Sequence, residues 1–264
     1  MLEIKNLTKT FYKGTVNERT ALDNISLSLK DGDFVTVIGG NGAGKSTLLN
    51  AIAGVWQPCS GSIKLGGKEL VGLPEHKRAK YLGRVFQDPM MGTAPDMMIE
   101  ENLAIAARRG KCRNLKWMIG KIEREDYREL LKILELGLED RLSSKVGLLS
   151  GGQRQALTLL MAAMKTPKLL MLDEHTAALD PKTAAKVLEL SDMIIQENSL
   201  TALMVTHNMK EAIKHGNRLI MMDSGKIVLD IEGDEKKALT VEELIARFTA
   251  KSGESFAGDR ALLG

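Results

Sequence analysis

Gly39-Gly40-Asn41-Gly42-Ala43-Gly44-Lys45-Ser46-Thr47 follows the apolar run Phe34-Val35-Thr36-Val37-Ile38 and leads into Leu48-Leu49-Asn50-Ala51-Ile52-Ala53. The order is strand, glycine loop, helix. It satisfies the phosphate-binding pattern of a glycine, four residues and then Gly-Lys-Ser, in the context that pattern requires. The glycines let backbone N–H groups curl around phosphate oxygens, and the helix start adds partial positive charge. Lys45 is placed to reach the β- and γ-phosphates of a nucleotide, and Ser46 to ligate Mg2+. A flexible surface turn is the plain alternative, and the flanking strand and helix speak against it.

Working outward, the chain of 264 residues is long enough for a sizeable core in one large unit or two closely joined ones. Its 44% hydrophobic content suits a soluble globular protein. With 37 basic against 34 acidic residues the surface is nearly balanced, so charge does not imply a nucleic-acid partner. The cysteines, Cys59 and Cys112, are too isolated for a disulfide framework or a zinc site and read as packing thiols in a reducing compartment. Glu3 and Lys5 interrupt the first apolar residues, which argues against a signal peptide. No apolar run approaches the roughly 18 residues of a spanning helix. Any membrane role is therefore expected to be peripheral.

Ahead of the loop, residues 2–7 and 25–29 alternate apolar and polar positions and predict strands with one solvated face. An aromatic ring before a nucleotide site can stack on adenine; Phe11 is the first choice for that role and Tyr12 the reserve, with packing the ordinary alternative. Beyond the loop, residues 63–65 and Val85-Phe86 read as short strands, the latter running to Gln87-Asp88-Pro89. Residues 97–109 and 123–136 then show helical spacing with dense charge, a helical insertion. It contains the basic run of residues 108–117, a solvated loop or a contact for lipid headgroups or a partner. Met90, Met91, Met97 and Met98 read as core packing or as an adaptable groove for a partner helix.

After Pro167, Leu169-Leu170-Met171-Leu172 ends in Asp173-Glu174, the mark of a buried parallel strand with carboxylates at its C-terminal end. Asp180 and Pro181 supply an N-cap and an N1 proline for a helix running to about residue 198. Residues 200–206 form the next strand, ending at His207, and residues 208–215 a helix closed by Gly216. Asp223-Ser224-Gly225-Lys226 joins two apolar runs as a hairpin. A last amphipathic helix covers residues 241–248, followed by a tail expected to fray.

A second glycine motif, Leu149-Ser150-Gly151-Gly152-Gln153, stands roughly 105 residues beyond Lys45. With the phosphate loop, the Gln87 segment, Asp173-Glu174, Ala178-Leu179-Asp180 and His207, all in this order, the chain resembles the ATP-binding-cassette (ABC) ATPases over about residues 1–230. The resemblance implies an α/β fold: a P-loop NTPase (RecA-like) core with an antiparallel β subdomain and a helical subdomain inserted at about residues 88–166. Residues 231–264 are then a short C-terminal helix and tail.

It also implies roles. Asp173 holds Mg2+, usually through water, and Glu174 polarises the attacking water as general base. His207 contacts the γ-phosphate, and Gln87 reaches Mg2+ and the water while sensing the partner protein. The signature motif acts across a dimer: Ser150 and Gly152 of one copy cover the γ-phosphate held by Lys45 of the other, with Gly151 and Gln153 in the same nucleotide-contacting set. Asp180 joins that set from the turn linking the two sites. The family often has proline and then Thr-Ser after the glutamate, where this chain has His175, Thr176 and Ala177. Met161 and Ala163 stand where many relatives carry arginine and leucine.

The function implied is an ATP-hydrolysing subunit that binds ATP and Mg2+, dimerises on ATP and drives a separate integral membrane permease from the cytoplasmic face of the membrane. By resemblance a bacterial importer fits best, with an extracytoplasmic substrate-binding protein and an amino acid, aromatic ones among them, as cargo. The rivals are an exporter ATPase, a repair or translation cassette, and a non-hydrolysing ATP-gated module. No long coiled coil or duplicated cassette supports the second, and Glu174 and His207 argue against the third.

Overall fold

The structure, a computed structural model, describes residues 1–111 and 119–252. Most of the basic run, with Cys112, lies outside the described residues, as does the tail beyond residue 252. β1 (Leu2–Phe11) and β2 (Arg19–Leu29) pair antiparallel, and β3 (Phe34–Ile38) carries five buried residues into the loop before α1 (Lys45–Ala53). β4 (Ser60–Leu65) and the short β5 (Lys68–Glu69) complete a four-stranded sheet in the order β2-β1-β4-β5. α2 (Glu75–Arg78) and β6 (Leu82–Val85) return the chain to the core. Arg78 is buried there and donates to the carbonyls of Leu73, Ala51 and Ile52, which closes the C-terminal end of α1.

Between β6 and β7 (Leu169–Asp173) the described residues include the α-helices α3 (Ile99–Ala107), α4 (Lys121–Lys132) and α5 (Gly151–Ala163). The expected helical insertion is therefore present. In α4 only Tyr127 and Leu131 are buried, while Arg128–Glu125 and Lys132–Glu129 pair on its outer face, which explains its dense charge. α6 (Pro181–Glu197), β8 (Ala202–Val205), α7 (Met209–Lys214) and β9 (Arg218–Asp223) follow, then β10 (Lys226–Glu232), α8 (Gly233–Lys237) and α9 (Val241–Ser252).

The second sheet has the order β10-β9-β3-β8-β7-β6, parallel except for the β9–β10 hairpin. Its central strands read as continuous apolar runs because both faces are covered. Leu170 and Leu172 face a core with Leu103, Leu131, Leu157 and Leu160 of the helices, whereas Leu169 and Met171 face α1 and the antiparallel sheet. Register then gathers the chemistry at one edge. Val37 pairs with Val205 and Val205 with Asp173, while Leu172 pairs with Val85, so the loops after β3, β8, β7 and β6 leave the sheet side by side.

Three expectations need correction. Cys59 is exposed, its Sγ accepting from the Thr10 N–H at 3.4 Å, because it lies just before β4, at the end of the strand and not in a core. Met90, Met91 and Met98 are exposed at 46%, 66% and 39%, so they do not act as core filler. The C-terminal helix extends beyond residue 248 and is preceded by α8; it buries Leu244 and Phe248 against Leu229 and Ile231. Among the described residues no helix is long and apolar enough to cross a membrane.

Candidate functional site

The loop after β3 is held by contacts that only glycine permits. Gly39 has φ 153° and Gly44 φ 102°, and a Cβ on either would collide with a backbone carbonyl, that of Met222 or of Ala21. α1 begins at Gly44 with no side-chain cap, so its first N–H groups are directed to the loop's concavity without a protein oxygen from a capping side chain. Lys45 is buried, and its Nζ donates to the carbonyls of Gly39 at 2.6 Å and Gly40 at 3.2 Å.

A cleft of about 300 Å³ opens over this loop, lined by Asn41, Gly42, Ala43, Gly44, Lys45, Ser46 and Thr47 together with Phe11, Arg19 and Glu174. Phe11 ends β1 and meets Trp56 edge to face at 5.4 Å, which fixes its ring. Tyr12 turns away, 72% exposed, and lines no part of the cleft. Of the two aromatic candidates, Phe11 therefore lines the cleft and Tyr12 does not. Phe11→Ala is expected to weaken nucleotide binding about 10-fold, the worth of one aromatic stacking contact, while Tyr12→Ala leaves it within about 2-fold. Titration with a fluorescent ATP analogue distinguishes them; equal losses at both positions would contradict the assignment.

Glu174 follows β7 in a left-handed conformation, φ 45°, which costs a non-glycine residue about 1–2 kcal/mol. Its N–H donates to Val205 O at 3.0 Å and its carbonyl accepts from Ala177 N at 3.0 Å. Strain of this kind persists where the surroundings over-determine it, and it clusters at functional sites. Beyond the end of neighbouring β8, His207 places Nδ1 3.7 Å from Glu174 Oε2, an adjacency longer than a hydrogen bond. His207 is flanked by fixed residues. Thr206 Oγ1 donates to Glu211 at 2.9 Å, and Asn208 caps α7 by accepting from Lys210 N and Glu211 N.

A second cleft of about 690 Å³ adjoins the first through Ser46 and is lined by Gln87, Asp88, Met91, Arg84 and Asp173. Ser46, Gln87 and Asp173, distant in sequence, therefore share one wall. Arg84, which sequence reading passed over, donates to Asp173 at 3.0 Å and stacks over Phe86. Its signal was a lone cation inside an otherwise apolar strand. Gln155 of α5 is buried and donates to Phe86 O at 3.0 Å, tying the Gln87 loop to the helix of the second glycine motif.

That motif starts α5. Ser150 accepts from Gln153 N at 3.2 Å and Gln153 Oε1 accepts from Ser150 N, a reciprocal capping box. Gly152 is buried against Thr183, whereas Ser150 and Gly151 are exposed. None of Ser150, Gly151, Gly152 or Gln153 lines either cleft, so the structure does not bring them to this chain's own phosphate loop. Asp180 caps α6 by accepting from Thr183 N, and the Thr183 hydroxyl with that N–H holds its carboxyl below the usual range.

The ABC transporter family model matches residues 22–177, from β2 to just beyond Glu174. A tyrosine transport ATP-binding protein of Clostridioides difficile is 48% identical over 248 residues, spanning 94% of this chain and 98% of the relative. A methionine import ATP-binding protein of Clostridium tetani is 35% identical over 93% of this chain and 76% of its own length. Among solved structures, a dimeric ATP-binding cassette in a post-hydrolysis state with ADP and Pi superposes with a TM-score of 0.74 at 31% identity, covering 88% of this chain and 98% of that one. A strand-loop-helix phosphate cradle, a carboxylate and histidine beside it, and agreement along nearly the whole chain lead to one conclusion: the chain belongs to the ABC transporter family, as an ATP-binding subunit that hydrolyses ATP in the service of transport.

Proposed function

We propose that the subunit dimerises on ATP and powers the import of an amino acid, with tyrosine or another aromatic amino acid as the preferred cargo, through a separate membrane permease. The observation that carries the catalytic part is the meeting of the phosphate loop, Phe11 and Glu174 on one cleft. The phosphate loop and Lys45 hold the phosphates, and Phe11 stacks on the base. Glu174 accepts the proton of the attacking water, and His207, beside it, orients that water and the γ-phosphate.

Ser46, Gln87 and Asp173 fit Mg2+: their hard oxygen atoms line one cleft next to the phosphate loop. Among the described residues no cluster of three or more His, Cys, Asp or Glu forms a cage. Bound there, Mg2+ supplies neutralisation of phosphate charge.

Ser150 to Gln153 lie apart from the loop of their own chain at a helix N-terminus, with Ser150 and Gly151 exposed, and are read as the lid for a second copy's γ-phosphate. Two nucleotides between two chains supply the differential affinity of closed over open dimers, and hydrolysis resets it. Residues 1–230 form the ATPase unit, with the insertion at about residues 88–166 and exposed Met90, Met91 and Met98 as the permease-docking face. Through that face the subunit sits peripherally on the cytoplasmic side of the membrane, and an extracytoplasmic binding protein delivers the cargo. The cargo reading rests on the tyrosine transport relative and on the methionine import relative. Reconstitution with its permease and binding protein is expected to show ATPase activity stimulated several-fold by tyrosine. Stimulation by methionine alone would move the cargo to another amino-acid class, and indifference to every amino acid would contradict the proposal.

A further inference from the structure

His175 is buried at 2% exposure, follows Glu174 directly and touches neither nucleotide cleft. Its Nε2 lies 3.0 Å from Ser191 Oγ on α6. Ser191 Oγ also lies 2.8 Å from Val187 O, one turn back on α6; with its proton given to that carbonyl, the hydroxyl oxygen accepts from the imidazole. Burial above all, and then nearby His215, lower the His175 pKa to about 4, which keeps the ring neutral at ordinary pH. The next residue of α6, Asp192, pairs with His215 Nδ1 at 2.7 Å at the end of α7, the helix that begins beyond His207. Lys236 Nζ donates to the carbonyls of His215 and Gly216 from the other side. Two successive residues of α6, the buried Ser191 and the partly exposed Asp192, therefore hold the segment after Glu174 and the helix after His207.

We infer that His175 is a positioning residue for Glu174, holding that residue's left-handed backbone in place through its hydrogen bond to Ser191. The inference rests on the reading of Glu174 as general base. A proline, common at this place in the family, restricts the preceding residue sterically and donates nothing. Histidine instead supplies an anchor to α6, and a hydrogen bond is directional where packing alone is not. The strain at Glu174, φ 45°, needs such an anchor to persist.

The test is steady-state ATPase kinetics of the full chain with His175→Phe, which keeps bulk but loses the donor, His175→Gln, whose side-chain amide can still donate, and Ser191→Ala. Phe and Ala variants are expected to lose about 10-fold or more in kcat with KM for ATP within about 2-fold. His175→Gln is expected to stay within about 3-fold of the parent, and the His175→Phe/Ser191→Ala double variant to fall no further than His175→Phe alone. Wild-type kcat in His175→Phe, or equal losses in the Phe and Gln variants, would overturn the inference. If His175→Phe does not fold, Ser191→Ala against His175→Gln decides by the same criterion. Glu174→Gln is measured in parallel: turnover there removes the base assignment itself, whereas its loss together with parental kcat in Ser191→Ala and His175→Phe removes only the anchor.

Discussion

Glu174→Gln is expected to lower ATP turnover by about 10²- to 10⁴-fold while leaving ATP affinity within about 2-fold, because the amide keeps the carboxylate's shape but cannot take the water's proton. The site geometry sets this expectation. Glu174 lines the cleft over the phosphate loop, its backbone is held in a strained conformation, and its carboxylate lies beside His207, which follows the neighbouring strand β8. Phosphate release measures the first quantity and equilibrium nucleotide titration the second. Parental turnover in this variant would remove Glu174 from the chemistry, and a parallel loss of binding would make it a ligand contact and not the base.

Lys45→Ala acts on the other half of the reaction. In the structure Lys45 Nζ is held by the carbonyls of Gly39 and Gly40, which places the ammonium over the concavity that the loop N–H groups line. A charge-assisted hydrogen bond to phosphate is worth about 1.5–3 kcal/mol, so its loss is expected to raise the Kd for ATP by about 10- to 100-fold. The fold should survive, since the neighbouring core of Leu48, Leu49 and Ile52 is untouched. Calorimetric titration of ATP checks it; unchanged affinity would contradict the phosphate-loop reading.

Much of this was legible because local chemistry and tertiary role coincide. The loop from Gly39 to Thr47 needs positive backbone angles and close carbonyl approaches, and glycine announces both. Leu169 to Leu172 reads as a parallel strand because both of its faces are buried, and Asp180-Pro181 as a helix start because an N-cap and an N1 proline are local devices. The sequence ranks Phe11 ahead of Tyr12 but does not fix which ring meets a cleft, since that depends on where β1 ends. Arg84 and His175 were harder still. Their partners, Asp173 and Ser191, are brought near by strand order and by α6 packing, which no local pattern encodes. The methionines stay open between core packing and a partner groove for the same reason: an apolar residue after a strand carries no mark of which side of the molecule it will face.

The central claim is that each reaction centre is shared by two chains, with the phosphate loop of one meeting Ser150 to Gln153 of the other. Sedimentation velocity of Glu174→Gln with ATP and Mg2+ tests it most directly. The account predicts a monomer without nucleotide and a stable dimer holding two ATP per pair of chains, reversed when Ser150→Arg is added. A variant that binds ATP yet stays monomeric at every concentration, or a dimer indifferent to Ser150→Arg, would contradict it.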